Sequence, residues 1–148
     1  MRTTAHILIA FCAFGTAAAQ VVMEPSDRPV TLFGTVQLIH GYGPPGYGED
    51  KKTDAHVTYL AIDLAKPINI TCSPERPEWA SANCGSAKRL KLFFAASSGV
   101  DSEKLEGIAV KLTGRKVSLT GVLHRADTVG EMTPIYIDVT AIESAEGR

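Results

Sequence analysis

Three histidines, His40, His56 and His124, stand at the ends of β-patterned runs, and the carboxylates Glu49, Asp50, Asp127 and Glu131 lie in the polar stretches beside them. Imidazole nitrogen and carboxylate oxygen are zinc donors, but a site needs three or four of them converging on one point. No pair here has the spacing of a metal motif. Strand alternation also places His40 on the apolar face of its run and His124 on the polar face of its own. Asp127, Glu131 and Glu49 are the residue types of a glycosidase carboxylate pair, yet nothing in the sequence fixes their separation or raises a pKa. G-x-S-x-G, H-E-x-x-H, the P-loop and the dinucleotide fingerprint are all absent. The sequence therefore predicts no catalytic residue, no metal site and no cofactor.

Binding is the chemistry these residues suit better. Residues 41–54 (GYGPPGYGEDKKTD) combine Tyr42, Pro44, Pro45, Tyr47 and Glu49. Tyrosine offers a large contact area for few rotors, and paired prolines lower the entropy lost when a loop is ordered on binding. A second polar stretch, residues 125–133, adds Arg125 and Glu131, with His124 just before it. The structural alternative is that the glycines make a tight reversal and the tyrosines fold back on the domain. Trp79, in the long connection 73–87, is either a partner anchor or packing for that connection.

These loops need strands to hold them. Val30, Leu32, Val36 and Leu38 alternate over residues 30–40, and Leu60, Ile62 and Leu64 alternate over 55–64, with 67–71 as a bent continuation. Residues 88–95, 116–124 and 134–142 complete a set of five strands. Residues 98–114 predict the one helix: Leu105, Ile108, Ala109 and Leu112 form an apolar stripe, Asp101 or Ser102 can cap it, and Gly114 suits its C-terminus. Gly34 and Gly121 fall in mid-strand, where small barrels turn corners. The order of elements predicts a mainly β fold, a small five-stranded OB-like Greek-key barrel with one α-helix between strands 3 and 4. An open five-stranded sheet covered by the helix is the competing architecture. In the barrel, closure is expected to bring loops 41–54 and 125–133 to one end.

The remaining features concern location. Met1-Arg2, an apolar run over 5–14 and Ala17-Ala18-Ala19 read as a signal peptide over 1–19. A leader over 20–29, the β domain over 30–143 and a tail over 144–148 follow. The apolar run is too short to span a bilayer. Export to the periplasm or medium would make Cys72 and Cys84 a disulfide. The 15 basic and 16 acidic residues give a net charge of −1, without the basic stripe that nucleic-acid binding requires. The expectation is a secreted, non-enzymatic module for a protein, peptide or cell-wall glycan. A metal-binding protein using the strand-end histidines and a small hydrolase are the alternatives.

The segment Gly43-Pro44-Pro45-Gly46-Tyr47-Gly48-Glu49 follows the first strand. Leu112-Thr113-Gly114-Arg115-Lys116-Val117 leads into Thr120-Gly121, and Thr133-Pro134 opens the last strand. Together these segments resemble the secreted bacterial domain-of-unknown-function family 4431, over residues 30–142. The resemblance implies a small exported domain and no activity. Relatives of that type carry histidines just before the Thr-Pro, where this chain has Gly130-Glu131-Met132, so no metal role carries over.

Overall fold

The computed structural model describes residues 21–23, 28–70, 85–95, 101–126 and 132–146. Their elements are β1 (Val21–Met23), β2 (Val30–Tyr42), β3 (His56–Ile70), β4 (Gly85–Phe93), α1 (Ser102–Lys111), β5 (Lys116–Arg125) and β6 (Ile135–Ser144). Strands β2, β3 and β4 pair antiparallel in turn. β4 then pairs parallel with β6, β6 antiparallel with β5, and β5 antiparallel with β2. The ring closes as an OB-like barrel of five strands, with α1 between the third and fourth of them.

Alternation builds its interior. Val36, Ile62, Leu90, Val117, Leu119, Ile135, Ile137 and Val139 are fully buried, and each contributes about 1.5–3 kcal/mol relative to exposure. The β2–β3 hairpin is longer than the barrel is deep. Leu38 shares the face of Val36 and pairs with Leu60, yet it is 44% exposed, because the hairpin already projects beyond the core.

Glycine makes the corners, as the sequence predicts. Gly34 pairs with Leu64 on one side and Val117 on the other, so β2 passes between both neighbours there. A Cβ at Gly34 would lie 2.3 Å from the Asp63 carbonyl oxygen, and one at Gly121 would lie 2.3 Å from that of Asp138. Both strands approach a neighbouring backbone too closely for any side chain.

α1 closes one end. Asp101 is its N-cap and accepts from the Lys104 N–H at 3.0 Å. Its extended backbone starts the helix at Ser102. The expected first turn from residue 98 is not formed at 101, and 96–100 lie outside the described residues. Leu105, Ala109 and Leu112 are buried, and Gly114, at φ +79°, donates its N–H to the Val36 carbonyl at 2.8 Å. That bond ties the end of the helix to the middle of β2.

One feature differs from the sequence reading. Residues 20–29 read as an aperiodic leader, but Val21–Met23 forms β1, parallel to Ile68–Ile70; three residues are too few to show a period. The expected bent continuation of 55–64 into 67–71 is formed: β3 runs unbroken from His56 to Ile70, with its register against β4 slipping between Asp63 and Ile68. Pro67, which has no N–H to give a ladder, sits in that slip.

Candidate functional site

The loop after β2 is held from inside. Asp54, buried to 5% exposure, accepts from the N–H groups of Gly46 and Gly48 at 2.7 Å each and of Asp50 at 3.3 Å. Burial works to raise its pKa, but the three backbone donors prevail and hold the carboxyl below its ordinary range. Gly43 and Ala55 close the base, with Gly43 N–H on the Ala55 carbonyl at 2.7 Å and Ala55 N–H on the Pro44 carbonyl at 3.0 Å. Pro44 and Pro45, joined by a cis bond, are exposed, as are Tyr47 and Glu49. Tyr42 is half-buried, its ring 5.1 Å from that of His56, with Lys51 Nζ 5.8 Å from its centroid. The loop is therefore a built projection, with Tyr47 at φ +52° displayed on it.

The expected meeting of the two loops at one end is corrected by the pairing. β2 and β5 run antiparallel through the pair Gly34–Val117. From that pair, β2 leads to Tyr42 in one direction and β5 leads to Arg125 in the other. Tyr42 and Arg125, where the two loops leave their strands, therefore stand toward opposite ends of the barrel. Glu131 and Asp127 lie outside the described residues, as do Trp79, Cys72, Cys84 and the signal-peptide segment. Arg125 is half-buried and pairs with Ile135 at the foot of the last hairpin.

The histidines occupy three separate settings. His40 Nδ1 lies 3.1 Å from the Thr58 hydroxyl, His56 packs on Tyr42, and His124 stacks on Tyr136 with centroids 5.1 Å apart at 16°. Among the described residues, no three His, Cys, Asp or Glu side chains gather to hold a metal ion.

Beside His124, which the sequence marks, the barrel wall carries residues that sequence reasoning missed. Register places Lys91, Tyr136 and His124 in one row across β4, β6 and β5, on positions facing away from the core, with the fully buried Ala61 of β3 paired to Lys91 at its end. Around that row Phe93, 46% exposed, lies 5.7 Å from Tyr136 between ring centroids, and Lys91 Nζ lies 5.8 Å from the centroid of Tyr59. Thr133 pins the row where β6 begins. Its hydroxyl donates to the Ile135 carbonyl at 2.6 Å and accepts from the Lys91 N–H at 3.1 Å. A signal for these residues was present: Tyr59, Phe93 and Tyr136 are aromatics at the outward positions of alternating strands.

Such a wall can stack flat or ring-shaped groups along a line crossing the strands, with a cation beside them. Next along β3 and β4, Asp63 accepts from Arg89 at 2.5 and 2.8 Å, and the guanidinium holds its carboxyl below the ordinary range. No protein-family model, no curated protein and no solved structure matches this chain.

Proposed function

We propose that this protein is an exported, non-enzymatic binding module that takes an extended cell-wall glycan chain across its barrel wall. The observation that carries the reading is the outward row of Lys91, Tyr136 and His124 with Phe93 and Tyr59 beside it. Aromatic faces stack on the apolar faces of sugar rings, and on an OB-like barrel the wall and its two flanking loops are where oligosaccharides and oligonucleotides bind. The overall charge of −1 argues for the uncharged sugar chain over the polyphosphate. The preformed loop around Asp54 supports the same reading, because a rigid edge with Pro44, Pro45 and Tyr47 exposed costs little entropy on binding. Export, periplasmic location and a Cys72–Cys84 disulfide belong to this proposal. So does the likeness to family 4431, which supplies no activity.

The test is co-sedimentation of the purified protein with insoluble peptidoglycan. Wild type is expected in the pellet, and Y136A and F93A should each weaken retention about tenfold, as loss of an aromatic anchor does. The sacculus should release no soluble fragments. Wild type left in the supernatant, or Y136A retained like wild type, refutes the reading.

A further inference from the structure

A concavity lies along the barrel from the aromatic row. It is a cleft of about 640 Å³ lined by Phe33, Gly34 and Thr35 of β2, Asp63–Ala65 of β3, Lys88 and Arg89 of β4, Lys116 and Val117 of β5, and Ala145. Its volume falls in the range of small-molecule sites, about 300–1,000 Å³.

The fold makes the cleft where β3 slips against β4. The register passes from Asp63–Arg89 to Ile68–Ala87, so four intervening residues of β3 are set against one of β4. Ala87 and Leu90 are both buried, three positions apart, so the two consecutive side chains between them, Lys88 and Arg89, both reach solvent. Simple alternation would have turned one of them inward. Across the cleft, Thr35 pairs with Lys116, and Phe33 stands 55% exposed beside them. Gly34 adds no side chain to the floor.

The charges there do not balance. Arg89 is neutralised by Asp63, which leaves Lys88 as the surplus cation on that side. Arg115 is neutralised by Glu146, which leaves Lys116 as the surplus on the other. Among the described residues neither lysine has a carboxylate within ion-pair distance. Two unbalanced ammonium groups beside an exposed phenyl ring suit a group with two negative charges and a compact apolar substituent. A phosphate monoester has that charge near neutral pH.

We infer that this cleft binds a phosphate monoester with a small aromatic or acyl substituent, the phosphate between Lys88 and Lys116 and the substituent on Phe33. The site is separate from the glycan-binding wall and does not depend on it.

The probe is phenyl phosphate, titrated into the ¹⁵N-labelled protein. Amide shifts are expected at residues 33–35, 63–65, 88–89 and 116–117. K88Q and K116Q should each weaken binding about tenfold, as loss of one charged partner does. Raising the salt from about 0.05 to 0.5 M should weaken it further. F33S should weaken phenyl phosphate and leave inorganic phosphate unchanged. Both lysines and Phe33 are exposed, so these variants should melt like wild type. Y136A should bind phenyl phosphate as wild type does, so failure of the glycan reading leaves this test intact. Vesicles containing phosphatidate, with K88Q and K116Q as controls, separate a lipid headgroup from a soluble ester; lysine-dependent binding of either supports the chemistry. Absence of lysine-dependent binding to both probes, or shifts confined to other residues, overturns the proposal.

Discussion

At the scale of single residues, Asp54 organises the loop that the sequence marks most strongly. Its carboxylate collects the N–H groups of Gly46, Gly48 and Asp50, and a Cβ on Gly46 would lie 2.9 Å from one of its oxygens. Asparagine at position 54 keeps one acceptor and turns an NH₂ group toward backbone donors. D54N should lower the melting temperature by several degrees at pH 7 and increase proteolysis within residues 43–55. The pH dependence has a definite sign. A carboxyl whose folded pKa lies below its unfolded value of 3.8 contributes stability above that value and loses it as pH falls through the folded pKa. The gap between wild type and D54N should therefore be widest above about pH 4 and narrow in more acid solution, as thermal melts from pH 2 to 7 would show. The sequence marks this segment as an irregular loop through its glycines and prolines. It does not mark Asp54, whose partners lie four to eight positions back and come within reach only once the turn has formed.

At the scale of elements, the two corner glycines solve one problem twice. A Cβ on Gly34 would lie 2.3 Å from the Asp63 carbonyl oxygen and 2.7 Å from Ile62 Cγ1, and one on Gly121 would lie 2.3 Å from the Asp138 carbonyl oxygen and 2.8 Å from Ile137 Cγ1. The nearest obstacle is backbone in each case, so a methyl group cannot be accommodated by a rotamer change. G34A and G121A should each cost about 3 kcal/mol, the upper end of overpacking, read as a lower urea midpoint. Gly107 gives the opposite expectation. A Cβ there meets nothing within 4 Å, in the exposed middle of α1. G107A should stabilise by about 0.5–1 kcal/mol, through lower entropy of the unfolded chain. These positions were legible because glycine inside an alternating run conflicts with strand propensity, and the conflict marks a corner. The continuation of β3 past Pro67 was legible too, but the slip against β4 was not, because register is a property of the strand pair and not of either strand alone.

At the scale of the whole molecule, the proposed binding row rests on closure, which no local pattern encodes. Lys91, Tyr136 and His124 are far apart in sequence or on separate strands, and they form a row only because β4 joins β6 in parallel and β6 joins β5. The sequence can place each ring on the outward side of its own strand, but the order of strands around the barrel decides which rings meet. For the same reason it could not show that the loops after β2 and β5 leave in opposite directions. The parallel seam is short, running from Lys91–Tyr136 to Phe93–Asp138, and it is braced at both ends. The Asp138 carboxylate accepts from the Ala95 N–H at 3.0 Å, and buried Thr133 bridges the Lys91 N–H and the Ile135 carbonyl. Valine at position 133 matches threonine in shape but leaves both backbone groups without that partner, so T133V should cost about 1–3 kcal/mol. T133S keeps the hydroxyl and should recover most of that loss. Because the same bond sets Lys91 beside Tyr136, T133V should also weaken glycan retention below its own melting temperature, with T133S restoring it. Stability and retention of T133V both equal to wild type would mean that the seam closes without the hydroxyl, and that the row is aligned by ladder pairing alone.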